Sequence, residues 1–165
     1  MAETNGTNGG GMPQAPDNAA NPQVNVAGQY IKDLSFESPD TERFFRGPGA
    51  NPNLQINFNV GVGNLRENTY EVTISLEGEA RNDNGVLYKV ELVYAGVFVL
   101  KNLPPQAIHP VLFIEAPALL FPFARRIVAD LTHEGGFPPL LLDPIDFGSL
   151  YRRRIESGQQ PAITN

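Results

Sequence analysis

The chain has 165 residues, a formal net charge of −6 at pH 7 and a sequence pI of about 4.8. This length is sufficient for one domain with a buried core. The acidic balance argues against nucleic acid or an anionic membrane surface as the main partner, and favours a basic protein instead. Because the sequence contains no cysteine, disulfides and thiolate metal sites are excluded.

The two ends of the chain differ in composition from its centre. Residues 1–23 are rich in Gly, Asn, Pro and Ala, which predicts a disordered N-terminal arm, and residues 158–165 form a short polar segment, predicted to be a flexible C-terminal tail. The start has neither the basic region nor the apolar region of a secretory signal. The longest apolar run, residues 111–123, is interrupted by Glu115, Pro117 and Pro122 and is too short to span a bilayer. We therefore expect a cytoplasmic protein that does not insert directly into a membrane, with one domain at residues 24–157.

Four segments between residues 24 and 100 have the alternating pattern of antiparallel β-strands. In the first, Tyr30, Lys32, Leu34 and Phe36 alternate with Ile31, Asp33, Ser35 and Glu37. In the second, the apolar face consists of Leu54, Ile56, Phe58, Val60 and Val62. The sequence Asn-Asp-Asn-Gly at residues 82–85 predicts a hairpin between the third and fourth strands. The fourth strand is apolar on both faces from residue 92 to 100, so we expect another subunit to cover the face that helices leave free.

Helical patterns follow the strands. Residues 101–110 (KNLPPQAIHP) are rich in proline, which predicts a crossover loop with His109 facing solvent. Next comes a long amphipathic helix with Pro117 in its first turn and a glycine pair at its end. A proline-containing extended run then leads to a short C-terminal helix, for which Asp146 is the predicted N-cap. The predicted fold class is α+β, with a four-stranded antiparallel sheet, a crossover loop, a long helix and a short C-terminal helix.

The sequence offers little that an enzyme could use. Its two histidines are His109 and His133, and no glycine-rich phosphate loop or metal-ligand spacing is present. We therefore predict no catalytic residue, no metal and no cofactor.

Charge and hydrophobicity instead suggest two surfaces. Asp33 and Glu37 project from the same face of the first strand, and Glu77 and Glu91 lie on the polar faces of the hairpin strands. These carboxylates are either ordinary polar cover or a docking surface for a basic protein, with salt-sensitive association.

The second surface is an excess of apolar side chains near the crossover and the last helix: Leu103, Ile108, Phe137, Leu140, Leu142, Ile145, Phe147 and Leu150. They are either core and subunit interface or the lining of a groove. Burying one Leu or Phe is worth roughly 1.5–3 kcal/mol, whereas micromolar binding requires about 8 kcal/mol. Several anchors must therefore be filled together, which suits a long unstructured client better than a small ligand.

Residues 119–151, LLFPFARRIVADLTHEGGFPPLLLDPIDFGSLY, together with YIKDLSFESP on the first strand and AGVF on the fourth, resemble the SecB family of bacterial protein-export chaperones. The similarity covers about residues 24–155. The resemblance implies a cytosolic homotetramer, a dimer of dimers, that binds unfolded precursor proteins without ATP. It also implies that the chaperone keeps these precursors translocation-competent and delivers them to the SecA ATPase.

The resemblance also implies site residues. By local alignment, the SecA-binding residues are Asp33, Glu37 and Glu91, while Lys89 stands where the family has an apolar residue. The implied client-binding groove is formed by Leu103, Ile108, Phe137, Leu142, Phe147 and Leu150. The family's C-terminal tail contacts the zinc-binding end of SecA, but the tail here is short and barely acidic. Two alternatives remain: a SecB-like chaperone of a toxin–antitoxin system, and an α+β enzyme with a small ligand.

Overall fold

The structure is a computed structural model that describes residues 21–46, 51–159 and 161–165. The predicted disordered arm at residues 1–23 lies almost entirely outside these described residues. Four long strands form the sheet: β1 (Gln23–Glu37), β2 (Asn53–Arg66), β3 (Thr69–Asn82) and β4 (Gly85–Lys101). A short 3₁₀ turn, Thr41–Phe44, lies in the connection from β1 to β2. The predicted hairpin between β3 and β4 is confirmed, and Gly85 supplies its positive φ of 122°.

The sheet has one strand more than the sequence pattern predicted. Its order is β1-β4-β3-β2-β5, in which β5 (Ile163–Thr164) pairs parallel with β2. The four antiparallel strands are confirmed, but the prediction of a four-stranded sheet is wrong. A two-residue strand inside the predicted tail is too short to produce an alternating pattern, so only its contact with β2 reveals it.

A β-bulge in β1 changes the face of the sheet from which the side chains on either side of it project. Ile31 pairs with Tyr94 and Asp33 with Val93, which leaves Lys32 as the extra residue. The simple alternation predicted from the sequence is therefore wrong across this point. Tyr30 and Lys32 project to the face of the sheet that points away from the helices, whereas Leu34 and Phe36 project toward the helices.

The helices form a single layer on the other face of the sheet. Helix α1 (Pro105–Pro110) continues through one π turn (Val111–Glu115) into α2 (Ala116–Glu134), and α3 (Phe147–Glu156) lies beyond an irregular run. The prediction of a crossover loop at residues 101–110 is therefore wrong for residues 105–110, which are helical. Pro105 occupies the first turn, where a missing N–H costs little, and the wider π turn begins directly after Pro110.

Residues Pro105–Glu134 are long and apolar enough to cross a membrane by length and composition alone. In this fold the segment lies along the sheet, where Leu120, Ala124 and Val128 are fully buried. A long helix that packs against a core also meets this criterion, because the apolar residues on its buried face raise the hydropathy of the whole segment.

The core lies between α2 and the central strands. A Cβ placed at Gly96 of β4 would stand 2.7 Å from Leu120 Cδ2, so this glycine allows the helix to approach the strand closely. On the opposite face of β4, Val93, Val97 and Val99 are only half-buried within the chain. The helices therefore cover one face of this strand and leave the other partly open.

Candidate functional sites on the two faces of the sheet

Four carboxylates lie together on the sheet face opposite the helices. Glu91 in β4 is directly opposite Ser35 in β1 and Glu77 in β3, so all three side chains share one face. Asp33 and Glu37 flank Ser35 at two residues on either side and therefore project the same way. All four carboxylates are exposed. Asp33, Glu37, Glu77 and Glu91 are called the acidic face below.

Other carboxylates on this side of the sheet already have cationic partners. Glu71 accepts from the Lys32 ammonium, which is the main reason that its pKa is below the ordinary value. Glu79 lies 2.8 Å from Arg81 Nη2 and 3.3 Å from Lys89 Nζ, and the hydrogen bond from Arg81 is the largest cause of its lowered pKa. Within the part of the chain that the structure describes, none of the four acidic-face carboxylates forms an ion pair. These four charges are therefore available to a partner.

An open cleft of about 760 Å³ lies on the helix side of the sheet. Its walls come from the β1–β2 connection, the β3–β4 hairpin and the run that follows α2. The apolar and aromatic part of its lining consists of Phe44, Pro52, Leu54, Leu87, Tyr88, Phe137, Pro138, Pro139 and Leu140. The space is named the main cleft.

Two aromatic rings, Tyr88 and Phe137, line one wall of the main cleft, and a third ring, Phe36, packs against both of them. The centroids of Tyr88 and Phe137 are 4.7 Å apart, and Phe36 lies 5.8 Å from Tyr88 and 6.5 Å from Phe137. These spacings are those of favourable aromatic pairs. Burial of Tyr88 raises the pKa of its hydroxyl. Because the rings come from β1, β4 and the run after α2, this wall is fixed by elements that are distant in sequence.

Arg43 closes one end of this wall. Its guanidinium lies 3.9 Å from the centroid of the Phe137 ring and 4.2 Å from that of Phe44, distances that suit cation–π contacts. The same group donates to the carbonyl oxygens of Gly135, at 2.6 Å, and Gly136, at 3.2 Å. Arg43 thereby satisfies carbonyls at the C-terminal end of α2 and holds the β1–β2 connection beside the cleft.

The sequence patterns did not indicate the contribution of this connection. Phe44 and Phe45 are 69% and 87% exposed, although such large apolar side chains usually contribute to a core. The sequence feature that could have indicated this contribution is the adjacent phenylalanine pair, which is flanked by Arg43 and Arg46 in a stretch otherwise typical of a polar loop.

A second, much smaller cavity of about 40 Å³ lies under α3, with Leu150, Tyr151 and Pro161 among its lining residues. His109 lies beside it and is half-buried, so the prediction of a solvent-facing loop histidine is wrong. Its Nδ1 is 2.7 Å from the Tyr151 hydroxyl, and its Nε2 is 2.8 Å from the Pro161 carbonyl oxygen. Its ring packs in a tilted arrangement against Phe113, with the ring centroids 4.5 Å apart. Helix α1, which the sequence pattern did not predict, places it there.

The structure distributes the predicted groove residues over several places. Phe137 lies in the main cleft, and Phe147 and Leu150 line the small cavity. Leu142 and Phe147 are buried within the chain, with 7% and 4% exposure. The other two members pack against the core while remaining partly exposed: Leu103 and Ile108.

An open cleft with apolar and aromatic side chains in its lining, together with an acidic face that forms no ion pair among the described residues, is typical of a protein that binds other polypeptides. The sequence matches the family model described as "SecB: Preprotein translocase subunit SecB" over residues 17–158. The chain therefore belongs to the SecB family: it is a protein-export chaperone and not an enzyme.

Similar proteins agree with this assignment. The "Protein-export protein SecB" of Rhodopseudomonas palustris (strain HaA2) is 51% identical over 154 residues, which cover 93% of this chain and 96% of that protein. The protein of the same name from Nitrobacter winogradskyi is 48% identical over 160 residues, covering 94% and 99%. The resemblance to SecB is thus confirmed, and the toxin–antitoxin and enzyme alternatives gain no support.

A solved structure shows the same fold at much lower sequence similarity. It is the Mycobacterium tuberculosis Rv1957 SecB-like chaperone, in complex with a ChAD peptide from the Rv1956 HigA1 antitoxin. The TM-score is 0.58 at 17% identity, and the match covers 74% of this chain and 87% of that chain. At this identity the comparison supports the α+β fold alone.

Proposed function

We propose that this SecB-family chaperone binds unfolded precursor proteins in and around the main cleft and passes them to SecA through the acidic face. The observation that carries the proposal is the position of the two surfaces. The main cleft lies on the helix side of the sheet, and the acidic face lies on the other side. A client and a basic partner can therefore be bound at the same time.

The main cleft has the properties that an unfolded client needs. Its volume of about 760 Å³ accommodates several side chains, and its open shape admits a continuous chain. Each buried apolar anchor contributes roughly 1.5–3 kcal/mol, so a few anchors together reach micromolar affinity without a nucleotide. We infer that Phe137 is the central anchor. Leu103, Ile108, Leu142, Phe147 and Leu150 extend the client-binding surface or support it from beneath.

The acidic face is the proposed contact for SecA. Asp33, Glu37 and Glu91, together with Glu77, are exposed and form no ion pair with any cation in the described part of the chain, whereas the neighbouring Glu79 is already paired with Arg81. Unpaired like charges repel one another, and a basic partner relieves that repulsion. Such a contact accelerates association and weakens as salt is added. Lys89 is directed to Glu79 and so leaves Glu37 free.

We also propose a cytoplasmic homotetramer, a dimer of dimers. Large apolar side chains remain uncovered in the single chain, including Leu119 and Phe123 of α2, which are 44% and 45% exposed. On β1, an edge strand, Val24, Val26 and Ile31 are exposed as well. Exposed apolar surface on an edge strand and on a long helix favours self-association. Light scattering after size exclusion would report the assembly, and a stable monomer would contradict it.

A mixing experiment tests capture and transfer together. The chain is combined with purified SecA and an unfolded precursor at low and at high salt, and complexes are separated by size. We expect a ternary complex at low salt and loss of SecA, but not of the precursor, at high salt. The double variant Asp33→Ala with Glu37→Ala should weaken SecA binding and leave precursor binding intact. If the double variant lost SecA binding and precursor binding equally, the assignment of separate surfaces to the two partners would be wrong.

A further inference from the structure

We propose that residues 161–165 occupy part of the chain's own client-binding surface and compete with clients for it. This inference rests on the proposed function, because it concerns the same apolar surface. The segment reads Pro-Ala-Ile-Thr-Asn and has no charged side chain. Ile163 and Thr164 form an extended strand, as a client segment added to a sheet edge would. The contacts of residues 161–165 are those expected of a weakly held peptide ligand.

The first contact is strand addition at the edge of the sheet. Ile163 pairs with Val62 and Thr164 with Gly63, and the Thr164 hydroxyl donates to the Val62 carbonyl at 3.1 Å. The Ile163 side chain is half-buried against the core. An edge strand offers backbone N–H and C=O groups to any extended polypeptide, so this mode of binding does not depend on one particular sequence.

The second contact is at the small cavity. Pro161 lines it together with Phe58, Phe147 and Leu150, and the Pro161 carbonyl accepts a hydrogen bond from His109 Nε2 at 2.8 Å. Since a carbonyl can only accept, Nε2 carries a proton, and in the neutral imidazole Nδ1 then accepts from the Tyr151 hydroxyl. Removal of Pro161 would open the cavity and expose the aromatic and aliphatic side chains beneath it.

The segment is held weakly enough to be displaced. Its strand is two residues long, and Ala162 and Thr164 remain exposed. The rest of the outer edge of β2 continues toward Leu54 and Ile56, which are 36% and 40% exposed. A long client can therefore pair along β2 and displace residues 161–165 as it advances. A short peptide gains too little to do so, and the segment would favour long clients over short ones.

The competition should lower the apparent affinity for a client by a measurable factor. A surface that is open in only a fraction of the molecules has its apparent affinity reduced by that fraction. If the segment is docked in about nine molecules of ten, its release should tighten client binding about tenfold. Two variants release it: a chain ending at Gln159, and the full chain with Ile163→Asp. The matched control is Ala162→Asp, which adds the same charge at an exposed position.

Binding is measured by fluorescence anisotropy with labelled, carboxamidomethylated α-lactalbumin, a permanently unfolded protein. Hydrogen exchange of the β2 amides near residues 62 and 63 shows whether the segment is released, and circular dichroism shows that each variant is folded. We expect about tenfold tighter binding by both releasing variants and the parent affinity for Ala162→Asp.

The binding results distinguish failure of the proposed competition from failure of the proposed client-binding function. Unchanged or weaker binding by a folded variant with a released segment would overturn the competition, while the client-binding function stands. Failure of the parent chain and of every variant to bind the probe would contradict the proposed function, and this inference with it.

Discussion

Neutralising the acidic face should weaken SecA binding without unfolding the protein. The triple variant Asp33→Asn, Glu37→Gln and Glu91→Gln keeps the shape of each side chain and removes its charge. All three carboxylates are exposed and unpaired in the described chain, so no internal ion pair is lost. An exposed pair with a partner charge is worth about 0.2–1 kcal/mol. Three such pairs give about 2 kcal/mol, or roughly a thirtyfold increase in Kd.

The assay is titration of purified SecA into labelled chaperone at several salt concentrations. The parent should lose affinity steeply as salt rises, because the Debye length falls from about 10 Å at 0.1 M to about 3 Å at 1 M. The triple variant should bind weakly at every salt concentration and show a much flatter dependence. Anisotropy with an unfolded protein should give the parent affinity, since the main cleft lies on the other side of the sheet.

A charge-matched control separates local docking from net charge. Glu67→Gln with Asp83→Asn and Asp143→Asn removes the same charge from three exposed positions outside the acidic face. We expect this control to bind SecA nearly as well as the parent. An equal loss in both triple variants would show that SecA responds to overall charge, and the proposed docking surface would be wrong.

Three further outcomes are expected. Leu120→Ala, which empties a fully buried position against Gly96, should lower the free energy of unfolding by about 2–5 kcal/mol in urea titrations; a smaller loss would mean that α2 is not packed on β4 as described. Leu150→Glu should reduce capture of an unfolded protein while size exclusion shows an unchanged assembly; dissociation would instead place this residue at a subunit interface. The pKa of Glu71 is lowered chiefly by Lys32, so its stabilisation is present above its unfolded pKa and is lost as pH falls through the folded pKa. Glu71→Gln should therefore lose less stability than the parent between pH 6 and pH 3, and identical pH profiles would refute this assignment.

Local patterns predicted most of the elements correctly. Alternation predicted the four long strands, the Asn-Asp-Asn-Gly sequence predicted the β3–β4 turn, and the glycine pair predicted the end of α2. Asp146 was correctly predicted as the cap of α3, since its side chain accepts from the Ser149 amide at 2.9 Å. These features depend on neighbours within a few residues, which the sequence displays directly.

The same patterns gave wrong predictions where the local conformation depends on packing or strand pairing with residues distant in the sequence. Proline content predicted a loop where α1 forms, because Pro105 is tolerated in a first turn and packing against the core then favours the helix. The bulge at Lys32 moved Tyr30 to the acidic side of the sheet, a change of register that only pairing with β4 determines.

The sequence alone determined the fold class, the SecB resemblance and the identity of the acidic-face residues. Carboxylates spaced by two or four residues on a strand share a face, so their grouping within each strand follows from local geometry. The tertiary structure alone decided what each surface can offer. It paired Glu71 and Glu79 with cations and left the acidic face free, and it assembled the main cleft around Arg43 and Phe137. Such contacts join residues far apart in the chain, and their presence depends on packing that no local pattern records.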